Sequence, residues 1–167
     1  MKRTVKMVFS VLLLALALVY VFREPLKELA FKVLTENMFV TSDTDNFDPG
    51  PTVGSNFPGL QATYQGRTIT LIDEFAGRNG TMFIATRSVD WCPYCMRQTI
   101  QLQEHKRAFD AAGIGMVAIT YDDPTLQQAF INKFAITIPM LSDVDALSFK
   151  TLGILNEDYA PSDFQYG

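Results

Sequence analysis

The chain has 167 residues, a net charge of −4 and a pI of about 4.9. This length suits a single domain with one core. Apolar residues make up 48% and charged residues 19% of the chain, which is typical of a globular protein rather than a disordered one. Because the charge is acidic and Lys and Arg cluster only at the extreme N-terminus, we expect no nucleic-acid partner.

The first residues have the pattern of a targeting segment. Three basic residues precede an apolar run over residues 7–22, namely Lys2, Arg3 and Lys6. A helix over this run of 16 residues would be about 24 Å long, slightly shorter than the roughly 30 Å hydrocarbon core of a membrane. We expect residues 1–23 to be an uncleaved signal anchor, which holds the protein in a membrane with its domain on the extracytoplasmic (periplasmic) side. A cleaved signal peptide, giving a secreted protein, and a buried soluble helix are the alternatives.

Residues 24–56 predict a helix and a linker. Pro25 suits a first helical turn, and apolar residues follow it at helical spacing. This helix would prolong the anchor, lie on the membrane surface or pack on the domain behind it. The stretch 41–56 is rich in Asp, Gly, Pro and Ser, which is typical of a tether or long loop.

Residues 57–167 predict the globular domain. Two alternating stretches around Gln65-Gly66 indicate a β-hairpin. Strands and helices then alternate: a buried strand over 80–88, a helix over 93–112 ended by Gly113, a strand "GMVAITYD", a helix over 124–134, a strand "ITIPMLSD" and a short helix over 144–152 closed by Gly153. This alternation predicts an α/β fold with a mostly parallel central sheet and helices on both faces.

The only two cysteines lie in "SVDWCPYCMRQ", where the predicted buried strand gives way to a helix. Cys92 falls at the N-cap and Pro93 at the first helical position. The positive end of the helix dipole favours an anion there, which lowers a cysteine pKa from about 8.5 to roughly 3.5–7.5. We therefore expect Cys92 to be the nucleophile. Cys95, one turn further on and more buried, would resolve the mixed disulfide.

The residues around the cysteines leave alternatives open. We expect Trp91, Pro93 and Tyr94 to form the substrate-binding surface, although Trp91 could equally fill the sheet edge. A zinc site needs four ligands, and the only other candidate is His105, three turns down the helix, so we expect no metal and no cofactor. A purely structural disulfide is a further alternative, but closing so short a loop stabilises a fold only weakly.

Four quoted stretches together resemble the thioredoxin-fold redoxin group, from about Val53 to Asn156: "VGSNFPGL", "RSVDWCPYC", "GIGMVAITYDD" and "FAITIPMLSD". The nearest branches are the AhpC/TSA and thiol-disulfide oxidoreductase families. The segment from Ile138 to Asp143 resembles the Phe-Pro-Leu-Leu-Ser-Asp segment of peroxiredoxins. The resemblance implies a thioredoxin-like fold and an oxidoreductase in which Cys92 and Cys95 are catalytic.

The peroxiredoxin active-site pattern, Pro-x-x-x-Thr/Ser-x-x-Cys, does not match. Anchored on Cys95 it falls on Ser88 and Cys92, and anchored on Cys92 it falls on Ala85 and Val89. We therefore expect dithiol–disulfide exchange with protein thiols or disulfides, recycled by an unidentified electron donor. One alternative is a peroxiredoxin-like thiol peroxidase acting on peroxides, and another is a redox-inactive binding module.

The end of the chain departs from the family. Thioredoxin folds finish with a cis-proline loop, a β-hairpin and a last helix, whereas only "NEDYAPSDFQYG" follows Gly153. We expect the C-terminal strands and helix to be missing, which would leave an exposed sheet edge.

Overall fold

The computed structural model of the protein describes residues 2–35 and 50–156. The chain divides into two compact units, with the boundary between Thr41 and Ser42. Most of the predicted linker and the chain end after Asn156 lie outside the described residues. The expected loss of the C-terminal strands and helix concerns that end, and it stays a prediction.

The first unit contains one helix, α1, which spans Lys2–Thr35. The helix predicted to begin at Pro25 is a continuation of α1, because the chain stays helical through this proline. Many large apolar side chains of α1 are exposed, among them Val19, Phe22 and Leu34. Of the helices in the described residues, none is both long enough and apolar enough to cross a membrane. The expected spanning anchor is therefore not supported.

The second unit contains a five-stranded sheet, three helices and a short 3-10 turn at Asp73–Phe75. The strands are β1 (Ala62–Tyr64), β2 (Arg67–Ile69), β3 (Thr81–Ala85), β4 (Gly115–Thr120) and β5 (Met140–Ser142). The helices are α2 (Pro93–Ala111), α3 (Pro124–Phe134) and α4 (Leu147–Thr151). The strand order across the sheet is β2-β1-β5-β4-β3.

The sheet is mixed rather than mostly parallel. Strands β3, β4 and β5 are parallel, as predicted from the alternation of strands and helices. However, β1 pairs antiparallel with both β2 and β5, because the hairpin docks on the β5 side of the sheet. The hairpin itself is confirmed: Gln65 and Gly66 both have positive φ, as a two-residue type I′ turn requires.

Helices cover both faces of the sheet, as predicted. Along β4 the side chains alternate between two hydrophobic cores, with Val117 and Ile119 on one face and Met116 and Ala118 on the other. The first core contains residues of the hairpin and α4. The second contains residues of α3 with partly buried side chains of α2. Both cores therefore depend on β4.

Two details differ from the predictions. Strand β3 was expected to be buried, but only Ile84 is buried, because within the described residues β3 pairs with β4 alone and lies at the sheet edge. The helix predicted over 144–152 is shorter, since α4 begins at Leu147 after Ala146, whose backbone is left-handed. Gly113 and Gly153 follow the ends of α2 and α4 with positive φ, as C-terminal glycines do.

Candidate active site

The two cysteines lie at the carboxyl end of β3, where the chain enters α2. Cys92 is the N-cap of α2, with an extended backbone (φ −96°, ψ 100°), and Pro93 occupies the first turn. The extended conformation is the one that a residue before proline favours. The predicted position of the pair at a helix N-terminus is therefore confirmed.

A disulfide joins Cys92 to Cys95, whose Cα atoms are 5.3 Å apart. The backbone N–H of Cys95 donates a hydrogen bond to Sγ of Cys92, with an N–S distance of 3.3 Å. The same N–H would stabilise a Cys92 thiolate after reduction, together with the positive end of the α2 dipole. The arrangement can therefore support a reactive thiolate and its resolution into a disulfide.

The relative burial of the two cysteines differs from the prediction. Cys92 is 3% exposed and Cys95 is 8% exposed, so Cys95 is not the more buried residue. The side chain of Cys92 turns back over the first turn of α2 to accept the N–H of Cys95, which brings its sulfur against the start of the helix.

The other predicted site residues surround the disulfide in sequence and differ in exposure. Trp91 is 43% exposed and Tyr94 is 50% exposed, while Pro93 is half-buried. The guanidinium carbon of Arg87 lies 5.2 Å from the centre of the Trp91 ring, a distance suited to a cation–π contact. These residues offer apolar surface next to the disulfide, and their role in substrate binding stays a prediction.

A buried polar network that the sequence reasoning missed lies beside the cysteines. Asp122 follows β4 and is 5% exposed, and Ser88 lies beyond the end of β3 and is fully buried. Ser88 Oγ donates to Asp122 Oδ1 at 2.6 Å, and the N–H of Val89 donates to Asp122 Oδ2 at 2.7 Å. Ser88 follows β3 and Asp122 follows β4, and these strands are parallel neighbours. Because the carboxyl ends of neighbouring parallel strands lie at the same edge of a sheet, this was the one sequence signal that could have predicted that the two residues are close.

Two ionisable side chains lie on the elements that flank the cysteines and the buried network. Arg97 on α2 is half-buried, and its Nε has no hydrogen-bond partner within the described residues. Burial raises the pKa of Tyr121, so this phenol is neutral at physiological pH.

Comparison with known proteins decides the family. The sequence model described as the AhpC/TSA family matches residues 53–165, which include both cysteines, the Ser88–Asp122 network and the whole sheet. The chain belongs to the AhpC/TSA family. The resemblance to this family found in the sequence is confirmed.

Solved structures support the fold. Peroxiredoxin Q from Xanthomonas campestris is 21% identical, with a TM-score of 0.51 over 58% of this chain and 60% of that one. A peroxiredoxin Q mutant from Xylella fastidiosa is 16% identical, with a TM-score of 0.53 over 68% and 70% of the two chains. Reduced Prx3 from Vibrio vulnificus is 18% identical, with a TM-score of 0.54 over 70% and 73%.

These likenesses show an α/β thioredoxin-like fold with a mixed sheet. The chain spans 60% of the length of the Xanthomonas protein. No curated protein matches the sequence significantly.

Proposed function

We propose that this member of the AhpC/TSA family is a thiol peroxidase that reduces peroxides through Cys92 and Cys95. The observation that carries the proposal is the Cys92–Cys95 disulfide at the start of α2, within the region that matches the family. The solved proteins of similar fold that are named peroxiredoxin support a peroxide as the substrate.

The reaction runs in three balanced steps. The Cys92 thiolate attacks one oxygen of a hydroperoxide and the O–O bond breaks, so that Cys92 becomes a sulfenic acid while the leaving alkoxide or hydroxide takes a proton from solvent and departs as an alcohol or water. The Cys95 thiol then attacks the Cys92 sulfur, which forms the disulfide and releases water. Finally, two thiols of an electron donor reduce the disulfide through a mixed disulfide and are themselves joined in a disulfide.

The N-cap geometry supports Cys92 as the attacking residue. Its Sγ accepts the N–H of Cys95 and lies at the positive end of α2, and both interactions favour the thiolate over the thiol. Cys95 is one turn away and already bonded to Cys92, so resolution requires no large rearrangement.

The decisive experiment is stopped-flow mixing of the reduced full-length protein with hydrogen peroxide and with an alkyl hydroperoxide. We expect one disulfide per peroxide consumed and a rate well above that of a free thiol. Cys92→Ser should consume no peroxide, and Cys95→Ser should stop at a sulfenic acid that dimedone labels. A wild-type rate equal to that of free cysteine would exclude the peroxidase. Labelling of Cys95 in Cys92→Ser would exchange the roles of the two residues.

Thiol–disulfide exchange with protein substrates is the second candidate, and a specific observation favours it. No Thr or Ser precedes either cysteine by three residues, where peroxiredoxins carry the hydroxyl, and the exposed Trp91 and Tyr94 offer apolar surface for a protein partner. In this case Cys95→Ser should accumulate mixed disulfides through Cys92, while the peroxide rate stays that of a free thiol. The two candidates therefore differ in two independent measurements.

For the location, we propose the extracytoplasmic side, where disulfides persist. The basic residues ahead of the apolar run support export. Mass spectrometry of the native protein from fractionated cells tests this. We expect it outside the cytoplasm, with or without its first residues, and recovery with the cytosolic fraction would overturn the proposal.

A further inference from the structure

The carboxylate of Asp122 holds together the ends of two strands beside the cysteines. Besides its bonds from Ser88 and Val89, its Oδ2 accepts the hydroxyl of Thr120 at 2.9 Å. Thr120 Oγ in turn accepts the side-chain amide of Gln127 at 2.9 Å. All these side chains are buried, so each bond is made away from competing water, and losing a partner would leave a buried polar atom unsatisfied.

Ser88 connects the Asp122 carboxylate to the backbone just before Cys92. Its Oγ accepts the backbone N–H of Asp90 at 3.0 Å and that of Trp91 at 3.2 Å. With the bond from Val89 N–H to Asp122, three successive backbone N–H groups are therefore held by two side chains. The next residue after these three is Cys92.

We propose that Asp122 and Ser88 are positioning residues for the redox pair. Through segment 88–91 they hold Cys92 at the N-cap of α2, where its sulfur meets the N–H of Cys95. This assignment rests on the proposed redox function of Cys92 and Cys95, and it concerns how the reduced pair keeps its geometry.

The network matters more in the dithiol form than in the disulfide form. In the disulfide form, the covalent bond to Cys95 fixes Cys92 against α2 by itself. After reduction this covalent restraint is gone, and the preceding segment and the N-cap interactions contribute more to holding the Cys92 sulfur against the helix N–H groups. Loss of Ser88 or Asp122 therefore destabilises the dithiol form selectively and shifts the redox equilibrium toward the disulfide.

The test uses the full-length protein with Ser88→Ala and Asp122→Asn. The matched controls are Ser148→Ala and Asp143→Asn, which change equally buried residues. Ser148 Oγ accepts the N–H of Gln61, and Asp143 accepts backbone N–H groups at the start of α4, so neither control side chain binds segment 88–91. The controls measure what the loss of a buried polar contact does by itself.

Each protein is equilibrated in glutathione buffers, where two glutathione thiols reduce the protein disulfide and yield one molecule of oxidised glutathione. Thiols are then trapped with a maleimide and counted by mass. Fluorescence provides a second readout, because Trp91 is the one tryptophan of the chain and lies in the anchored segment.

We expect both site variants to favour the disulfide about tenfold more than the wild type, which corresponds to a potential about 30 mV lower. Trp91 emission of their reduced forms should move to longer wavelength, while the controls keep the wild-type values. The assignment is overturned if the redox potential and the Trp91 emission of the site variants shift no further than those of the controls. Should Asp122→Asn fail to fold, Ser88→Ala, which removes only a hydroxyl, decides the question. A wild-type pair that does not cycle in these buffers would refute the proposed function itself, which is a separate outcome.

Discussion

At Gly115 the backbone passes so close to another segment that no side chain fits. A Cβ atom built on Gly115 would overlap the carbonyl oxygen of Phe75 and lie 2.7 Å from the backbone nitrogen of Gly77. These neighbours are main-chain atoms, which cannot turn away as a flexible side chain can. The contact joins the start of β4 to the segment after the 3-10 turn.

We predict that Gly115→Ala destabilises the protein by about 3 kcal/mol, the upper range for forcing an extra carbon into a packed site. Urea denaturation of the wild type and the variant measures the difference. Gly59→Ala is the control, because its Cβ would lie 3.6 Å from the carbonyl oxygen of Thr70, an ordinary contact. Equal denaturation midpoints for Gly115→Ala and Gly59→Ala would contradict the predicted overlap.

Two adjacent aspartates show why residue types alone did not reveal the whole site. Asp122 is buried in the network with Ser88, whereas Asp123 is exposed and caps α3. Both follow the same predicted strand, and although Pro124 marks Asp123 as the N-cap of α3, nothing in the sequence indicates that Asp122 is buried against Ser88. The difference depends on which side chain faces the end of β3, a contact between residues 34 positions apart.

Helix α3 begins with a side-chain cap. Asp123 accepts the N–H of Thr125 at 2.7 Å, and Pro124 follows in the first turn. The hydrogen bond from the Thr125 backbone favours the carboxylate and lowers the pKa of Asp123 below its ordinary value of 3.8. The charge also lies at the positive end of the helix dipole.

We predict that Asp123→Ala lowers the midpoint of thermal unfolding. Asp123→Asn keeps a hydrogen-bond acceptor and should lower this midpoint less at neutral pH. Since the folded pKa is lowered, the stabilisation by the charge is complete above pH 3.8 and is lost as the pH falls through the lowered value. Thermal unfolding of the wild type and Asp123→Asn from pH 7 to pH 2 measures this. If the difference in thermal midpoint between the wild type and Asp123→Asn stays constant down to pH 2, the predicted link between the Asp123 charge and stability is wrong.

At the level of elements, the local signals predicted the hairpin, α2 and α3 within a residue or so. Each has a strong cue: a Gln-Gly turn, a proline in the first turn, or a glycine after the last turn. The elements that depended on distant contacts were predicted less well. The apolar sequence of β3 predicts a buried strand, but the burial of β3 depends on its neighbours in the sheet. Likewise, the antiparallel pairing of β1 with β5 has no local signal.

Across the whole molecule, β4 links the two cores and leads to the candidate site. Its side chains pack on both faces of the sheet, and at its carboxyl end Thr120 and Asp122 support the segment before Cys92. The core that stabilises the fold is therefore continuous with the network beside the redox pair. For this reason, the stability of the molecule should depend on the state of the disulfide.

The size of that dependence separates a redox-active disulfide from a purely structural one. Closing so short a loop stabilises the folded state by about 2 kcal/mol in the chain-entropy account. In a redox-active pair, the start of α2 also stabilises the reduced Cys92 thiolate, which offsets part of this gain. We therefore predict that oxidation increases the free energy of unfolding by clearly less than about 2 kcal/mol.

Urea denaturation with and without dithiothreitol measures the difference. The control is Cys92→Ser, which forms no disulfide and should have the same free energy of unfolding with and without the reductant. A gain of about 2 kcal/mol or more would mean that the folded reduced state gives the thiolate no special stabilisation. In that case the bond between Cys92 and Cys95 would be a structural link, even though it lies at a helix N-terminus in a fold of the AhpC/TSA family.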